Sequence, residues 1–310
     1  MTETTREIFE KYQVRKTKKQ KAAFAQYVEK LATEWGYSFK TEKGSFGAKN
    51  LVVGDPCTAK VVYTAHYDTA PVLPFPNFIT PKSIPIYLLY KFAIVLGFFA
   101  AAFMLGLVVG VVAAFLELGD GFAVLAGEII YFALLILMIA GPANKHTAND
   151  NTSGVTLLID IMRDLPVQRR SDTAFVFFDL EEAGLIGSAS FAKAHKAEMK
   201  NRLLVNFDCV SDGDNILMVL CKGARPYGET LGKAFAEEDG FKVEIAEKGV
   251  IYPSDQARFA CGVGVAALRS TKGGLLYMNR IHTARDIIYQ EENIEFLKNG
   301  AIKLAELLDP

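Results

Sequence analysis

The chain has 310 residues, 51% of them hydrophobic, and its 34 Lys and Arg nearly balance 35 Asp and Glu for a formal net charge of −1. That length buries one large core with residues to spare, and a balance broken only by the short run Arg15, Lys16, Lys18, Lys19 and Lys21 excludes a broad nucleic-acid-binding face. Cys57, Cys209, Cys221 and Cys261 stand alone, which excludes a disulfide framework and reads as reduced thiols of a cytosolic compartment.

Met1 to Lys21 is polar with no apolar centre, so neither a secretory signal nor a first membrane anchor is expected there. From Thr2 to Trp35, Phe9, Tyr12 and Val14, then Ala23, Phe24, Tyr27, Val28 and Leu31, recur at helical spacing. This predicts helix up to the turn Gly36-Tyr37, with the basic run as its solvated face. Lys60 to Ala65 is β-branched and apolar, a buried strand that ends at His66.

Ile84 to Leu118 is almost continuously apolar, broken by Lys91, and Phe122 to Ala140 carries only Glu128. Each reaches the roughly 20 residues that span hydrocarbon. The polar turn Glu117-Leu118-Gly119-Asp120-Gly121 joins them into a helical hairpin with both ends on one side. A buried soluble helix pair or a hydrophobic lid is the alternative, but core helices rarely stay apolar all round for such lengths. Lys82, Lys91 and Lys145 flank the base and the tip is acidic, so the positive-inside rule places the base, and the domain attached to it, in the cytoplasm. The expectation is a cell-membrane protein with two spans, touching the bilayer through residues 84–140. Gly106-Leu107-Val108-Val109-Gly110 has the small-xxx-small spacing at which two helices, or two copies of the chain as a homo-oligomer, approach closely. Glu128 is expected on that glycine face or reaching toward the headgroups.

Beyond the hairpin, Thr152 to Leu165 predicts an amphipathic helix, Thr173 to Leu180, Leu203 to Asp208 and Gly262 to Arg269 strands, and Glu292 to Leu308 a closing helix. Alternating strand and helix predict an α/β fold with a mixed, largely parallel sheet flanked by helices. The expected domain, residues 1–82 and 143–310, is interrupted by an inserted hairpin, residues 83–142.

Chemistry-bearing residues collect at the carboxyl ends of these strands, where open α/β sheets assemble their sites. His66 and Asp68 follow one strand, Glu181 and Glu182 another, and Asp208 a third; Asp150 at a helix start and His282 in a loop complete the set. Two histidines with several carboxylates suit zinc, with manganese or cobalt as substitutes. Two divalent ions about 3.5–4 Å apart need a carboxylate between them. Asp150, in the turn-favouring Asn149-Asp150-Asn151-Thr152-Ser153-Gly154, is the candidate, an ordinary helix cap being the alternative. Of Glu181 and Glu182, one is expected on metal and the other on water, unless the pair is a solvated turn. Asp68, two residues past His66, is placed to orient the imidazole.

Five blocks, His66-Tyr67-Asp68, Asn149-Asp150-Asn151-x-Ser153-Gly154, Glu181-Glu182-x-Gly184-Leu185-Ile186-Gly187-Ser188, Asn206-Phe207-Asp208 and His282-Thr283-x-x-Asp286, together resemble, in that order, the M28 family of co-catalytic zinc peptidases. The resemblance implies a zinc-exopeptidase fold and two Zn2+ ions, one held by His66, Asp150 and Asp208, the other by Asp150, Glu182 and His282. It implies Glu181 as general base, Asp68 as the partner that orients His66, and a cis peptide at Asp150-Asn151. Ser254-Asp255-Gln256-x-x-Phe259 resembles the family's substrate-side loop, with Gln256 where a histidine is frequent. The implied activity is hydrolysis of short or membrane-proximal peptides by a metallo-exopeptidase, aminopeptidase ahead of dipeptidase and carboxypeptidase. The rivals are a glutaminyl-cyclase-like acyltransferase working with one zinc and a non-catalytic membrane receptor or scaffold; the complete ligand set and Glu181 speak against both.

Overall fold

Val61, Tyr63 and Ala65 face one side of a sheet and Val62 the other, and every one of them is buried, so both faces of that sheet are covered. The computed structural model describes residues 1–117, 121–237 and 240–308. In chain order the elements are α1 (Glu3–Lys11), α2 (Lys18–Glu34), β1 (Phe39–Lys43), β2 (Lys49–Val53), β3 (Val61–His66), α3 (Ile84–Phe115), α4 (Gly121–Ala140) and α5 (Gly154–Asp164). They continue as β4 (Thr173–Phe178), α6 (Ile186–Ala194), β5 (Leu203–Phe207), β6 (Asn215–Leu220), α7 (Gly228–Ala234), β7 (Lys242–Ala246), β8 (Gly262–Ser270), β9 (Leu276–Tyr277) and α8 (Glu291–Leu307).

The strands lie in the order β1-β2-β4-β3-β5-β8-β6-β7, with β9 on β8. The centre, β4-β3-β5-β8, is parallel, β6 and β7 are parallel to each other, and β1, β2, β6 and β9 meet their neighbours on β2, β4 and β8 antiparallel. The mixed sheet expected from the alternating pattern is therefore present. Helices α1, α2, α5 and α8 cover one face through Ile8, Phe24, Leu158 and Leu297, and α6 covers the other through Phe191. Aromatic rings fill the first layer: Phe175 meets Tyr37 edge-on at 5.9 Å, and Tyr63 stacks on Phe207 at 6.0 Å while its hydroxyl donates to Ala301 O of α8 at 2.6 Å.

The single helix expected from Thr2 to Trp35 is two. Thr17 accepts from Gln20 N while the Gln20 side chain accepts from Thr17 N, a reciprocal cap that starts α2 afresh. Nor is the basic run simply a solvated face. Lys18 and Lys19 are exposed, but Arg15 is fully buried, Lys16 donates to Ile139 O in the last turn of α4 at 3.1 Å, and Lys21 pairs with Asp179.

Helix α3 has the length and composition to cross a membrane: 32 residues, mean hydropathy 2.7, only 11% of its most apolar window buried. Its buried residues, Ala102, Gly106 and Ala113, are the small ones, and Ala102 O lies 3.9 Å from where a Cβ on Gly127 of α4 would stand. Phe99 stacks on Tyr131 across the same pair at 4.5 Å. Glu128 lines the interhelical cleft beside Gly106 and Gly127, while Gly110 is only half-buried. Residues 118–120 of the expected hairpin turn lie outside the described residues.

Candidate metal centre

Parallel pairing of β4, β3 and β5 brings three strand ends to one edge: His66 is level with Phe178, and Thr64 with Asn206, so Asp208 emerges beside His66. Glu181 and Glu182 follow β4 after one short step. Asp150 comes from the irregular turn Ala148–Ser153 ahead of α5, where it (φ −111°, ψ 98°) and Asn151 (φ −125°, ψ 45°) leave helical geometry across a cis peptide bond, the bond implied by the resemblance. Close packing selects two glycines of the motifs: a Cβ on Gly154 would lie 2.4 Å from Phe207 O, and one on Gly187 2.1 Å from Asp179 O.

These turns bring all the expected residues together. His66 Nε2 lies 3.2 Å from Asp150 Oδ1 and 3.6 Å from Asp208 Oδ1. His282 Nε2 lies 3.0 Å from Asp150 Oδ2 and 3.2 Å from Glu182 Oε2. The two imidazoles thus address different oxygens of one carboxylate. Glu181 groups with His66 and Glu182, and Asp68 Oδ1 faces His66 Nδ1 at 3.5 Å. The shorter contacts of Asp68 run elsewhere: its two oxygens accept from Glu181 N at 3.0 Å and Glu182 N at 3.3 Å, which fixes the Glu-Glu turn. The cavity above the cluster is about 270 Å3 and is walled by Asn77, Ile79, Leu185, Tyr252, Pro253 and Ile281 besides the acidic and histidine side chains.

A hydrogen-bonded support lies beneath. Asp286 accepts from Asn149 N (2.8 Å) and Asp150 N (3.0 Å), and Ser254 Oγ donates to Asp208 Oδ2 at 2.6 Å. Asn151, not Asp150, acts as the cap: its Oδ1 accepts from Gly154 N at 3.0 Å while its Nδ2 reaches Phe207 O at 3.1 Å. Arg15 is the residue that sequence reasoning placed in solvent. Its guanidinium donates to Tyr67 O (2.6 Å), Tyr12 O (2.7 Å) and Thr152 Oγ1 (3.4 Å), joining the turns that follow His66 and Asp150. Burial pushes its pKa down to about 10, against the pull of Asp68 and Asp150, so it is a cation at neutral pH. No spacing rule separates such an arginine from its lysine neighbours.

Burial works against the charged imidazole of His66, but Glu181 and hydrogen bonding toward Asp150, Asp208 and Asp68 outweigh it and hold the proton well above the ordinary histidine range. His282 is held the same way, against burial, by Glu182 and Asp150. Burial raises both Glu181 and Glu182, His66 opposing it at Glu181 and His282 at Glu182, with neighbouring carboxylates adding to the rise. Protons here neutralise carboxylates forced together, which is what a bound cation does. Donors 3.0–3.6 Å apart also match the edges of a shell with ligands about 2.0–2.2 Å from zinc, and Glu182 Oε1 is buried with no partner. The residues fit zinc.

Of the other histidines, His195 pairs with Glu42 at 2.9 Å and His146 is exposed. Gln256, where a histidine was frequent in the resembling family, is a packing residue: Nε2 donates to Tyr252 O at 2.8 Å, and a Cβ on Gly264 would strike the Gln256 side chain. Asp255 is fully buried with neither oxygen hydrogen-bonded, and burial pushes it up to about 7 against the pull of His66.

The description "Peptidase family M28" matches residues 136–306, more than half of the chain. No curated protein matches. Among solved structures, the Legionella pneumophila LapA aminopeptidase is similar at 15% identity and TM-score 0.56, covering 98% of this chain and 68% of its own. The Porphyromonas gingivalis glutaminyl cyclase gives 13% and 0.57, covering 97% of this chain and 95% of its own. A Zn-dependent exopeptidase from Parabacteroides distasonis gives 14% and 0.55, covering 97% of each. At these identities the likeness is one of fold.

Proposed function

The chain belongs to peptidase family M28, and on that premise we propose that it is a two-zinc metallo-exopeptidase, an aminopeptidase first of all, anchored in a membrane by residues 83–142. One observation carries the reading: His66 and His282 address the two different oxygens of Asp150. In it, His66, Asp150 and Asp208 hold one ion and Asp150, Glu182 and His282 the other, manganese or cobalt serving as substitutes. Zinc, when bound, supplies Lewis acidity toward the scissile carbonyl and toward water.

The chain's own groups supply the rest. Glu181 takes a proton from the attacking water and returns it to the departing amine, and its buried setting, which favours the protonated form, suits the second half of that task. Asp68 holds Glu181 and Glu182 at fixed height through their amides. Ile79, Leu185 and Ile281 give the peptide's terminal residue an apolar wall.

In this reading residues 1–82 and 143–310 form one catalytic domain, and α3 and α4 both cross the bilayer, with Lys82, Lys91 and Lys145 at the cytoplasmic base. Such an anchor favours short or membrane-proximal peptides. The small face of α3 packs within its own hairpin, so self-association through the hairpin would use the outer rings and leucines.

Metal analysis of the full chain with a mixed peptide library, beside Glu181→Gln, tests the proposal. The expected outcome is about two zinc per chain, release of N-terminal residues, and a loss of about 10²–10⁴-fold in turnover for Glu181→Gln with its zinc retained. Ammonia release from N-terminal glutamine would favour glutaminyl cyclisation, release from the other end a carboxypeptidase, and binding without turnover a scaffold.

A further inference from the structure

The segment between β3 and α3 forms the rim of the metal cavity. Leu73 N donates to His282 O at 2.7 Å, Asn77 N to Ile281 O at 3.4 Å, and Ile79 and Met278 exchange both backbone bonds at 3.0 Å each. Farther on, Ile251 N donates to Pro81 O at 2.9 Å, next to Tyr252 and Pro253 of the same cavity. The rim is therefore tied to the loop that carries His282, and its Asn77 and Ile79 line the cavity itself.

The first turns of α3 hold this rim from outside. Tyr90 Oη donates to Pro76 O and Lys91 Nζ to Asn77 Oδ1. The Tyr90 ring meets Phe78 edge-on at 5.3 Å, and Phe98 meets Phe75 in the same way at 5.7 Å.

Helix lengths locate these contacts. With 32 residues α3 is about 48 Å long, whereas the 20 residues of α4 give about 30 Å, the thickness of the hydrocarbon core. The contacts of Phe99 with Tyr131 and of Ala102 with Gly127 set Tyr90 level with Ala140 at the end of α4, so the first turns of α3 project past α4 at the base. Tyr87, Tyr90 and Lys91 then stand at headgroup level, where tyrosine and lysine are favoured. One rigid helix has its long arm in lipid and its short arm on the cavity wall.

We infer that Tyr90 and Lys91 are positioning residues that hold the Pro76-Asn77 corner against the His282 loop, so that the stance of α3 in the bilayer governs how tightly the cavity grips a peptide. The inference rests on the peptidase and membrane readings above. A rim acts on binding, while Glu181 acts on chemistry, so the two separate in kinetics.

The test uses the full chain in nanodiscs. The double variant Tyr90→Phe, Lys91→Met is expected to raise KM about tenfold with kcat and zinc content unchanged, and restoring a donor with Lys91→Arg recovers most of the loss. The Kd of an apolar aminoacyl hydroxamate, measured by calorimetry, should weaken by the same factor. Wild-type KM should differ between short-chain and long-chain lipid discs, and the double variant should lose that difference. Normal wild-type turnover with KM and Kd unchanged in the double variant overturns the inference alone. A wild-type chain that hydrolyses no peptide overturns the peptidase reading and the inference with it.

Discussion

Tyr63 and Phe103 carry rings of similar size, yet Tyr63 is 0% exposed and Phe103 66%. The first sits in a sheet whose neighbours are fixed by backbone pairing, and the second at the edge of the cleft between α3 and α4, on a helix most of whose large side chains are exposed. Hydrophobicity is the same in both regions; what differs is what surrounds it. In the sheet each apolar side chain has a partner specified by register, so a change of shape is felt. On α3 the residues that face α4 or the cavity rim are specified, and in the membrane reading the outer ones need merely be soluble in lipid.

That contrast can be broken or sharpened by substitution. Phe175→Ala should cost about 3–5 kcal/mol, because its neighbours Tyr37 and Tyr63 cannot collapse into the space, and urea unfolding of the full chain in detergent would measure it. Arg15→Met should cost about 2–3 kcal/mol by leaving Tyr67 O and Tyr12 O without their donor, and should lower zinc affinity by loosening both ligand turns. Equal zinc affinity in a calorimetric titration would show that Arg15 supports the fold alone. Gly106→Leu, on the specified face of α3, should cost about 1–3 kcal/mol of hairpin packing, read as greater protease access to the helix pair. Val108→Ala, two residues away, 60% exposed and outside the cleft between the helices, should stay within about 0.5 kcal/mol in the same measurement, and a loss as large as that of Gly106→Leu would erase the distinction between the two regions.

The same contrast explains what could be read in advance. The central strands were legible because burial on both faces leaves unbroken apolar runs such as Val61 to Ala65, and the candidate ligands because polar groups that end such runs stand out. β1 was not: Phe39-Lys40-Thr41-Glu42-Lys43 is a polar edge strand whose place is set by pairing with β2, which no periodicity in it announces. β7 was missed for a different reason: Lys242-Val243-Glu244-Ile245-Ala246 alternates but is too short to stand out, and its place is set by pairing with β6. The inward turn of Arg15 was hidden because a buried guanidinium bonded to carbonyls looks, in a row of letters, like the exposed Lys18 and Lys19 beside it. The spacing of His66 and Asp68 showed that they share a neighbourhood, but only the fold shows the carboxylate bonded to the Glu181 and Glu182 amides.

Arg15 and Lys16 are neighbours with distant partners, one under the turns at Tyr67 and Thr152, the other at Ile139. Ribosomal synthesis delivers these two side chains well before their distant acceptors at Tyr67, Thr152 and Ile139. The segment that carries them therefore completes its docking only after both hairpin helices and the bend beyond them have emerged.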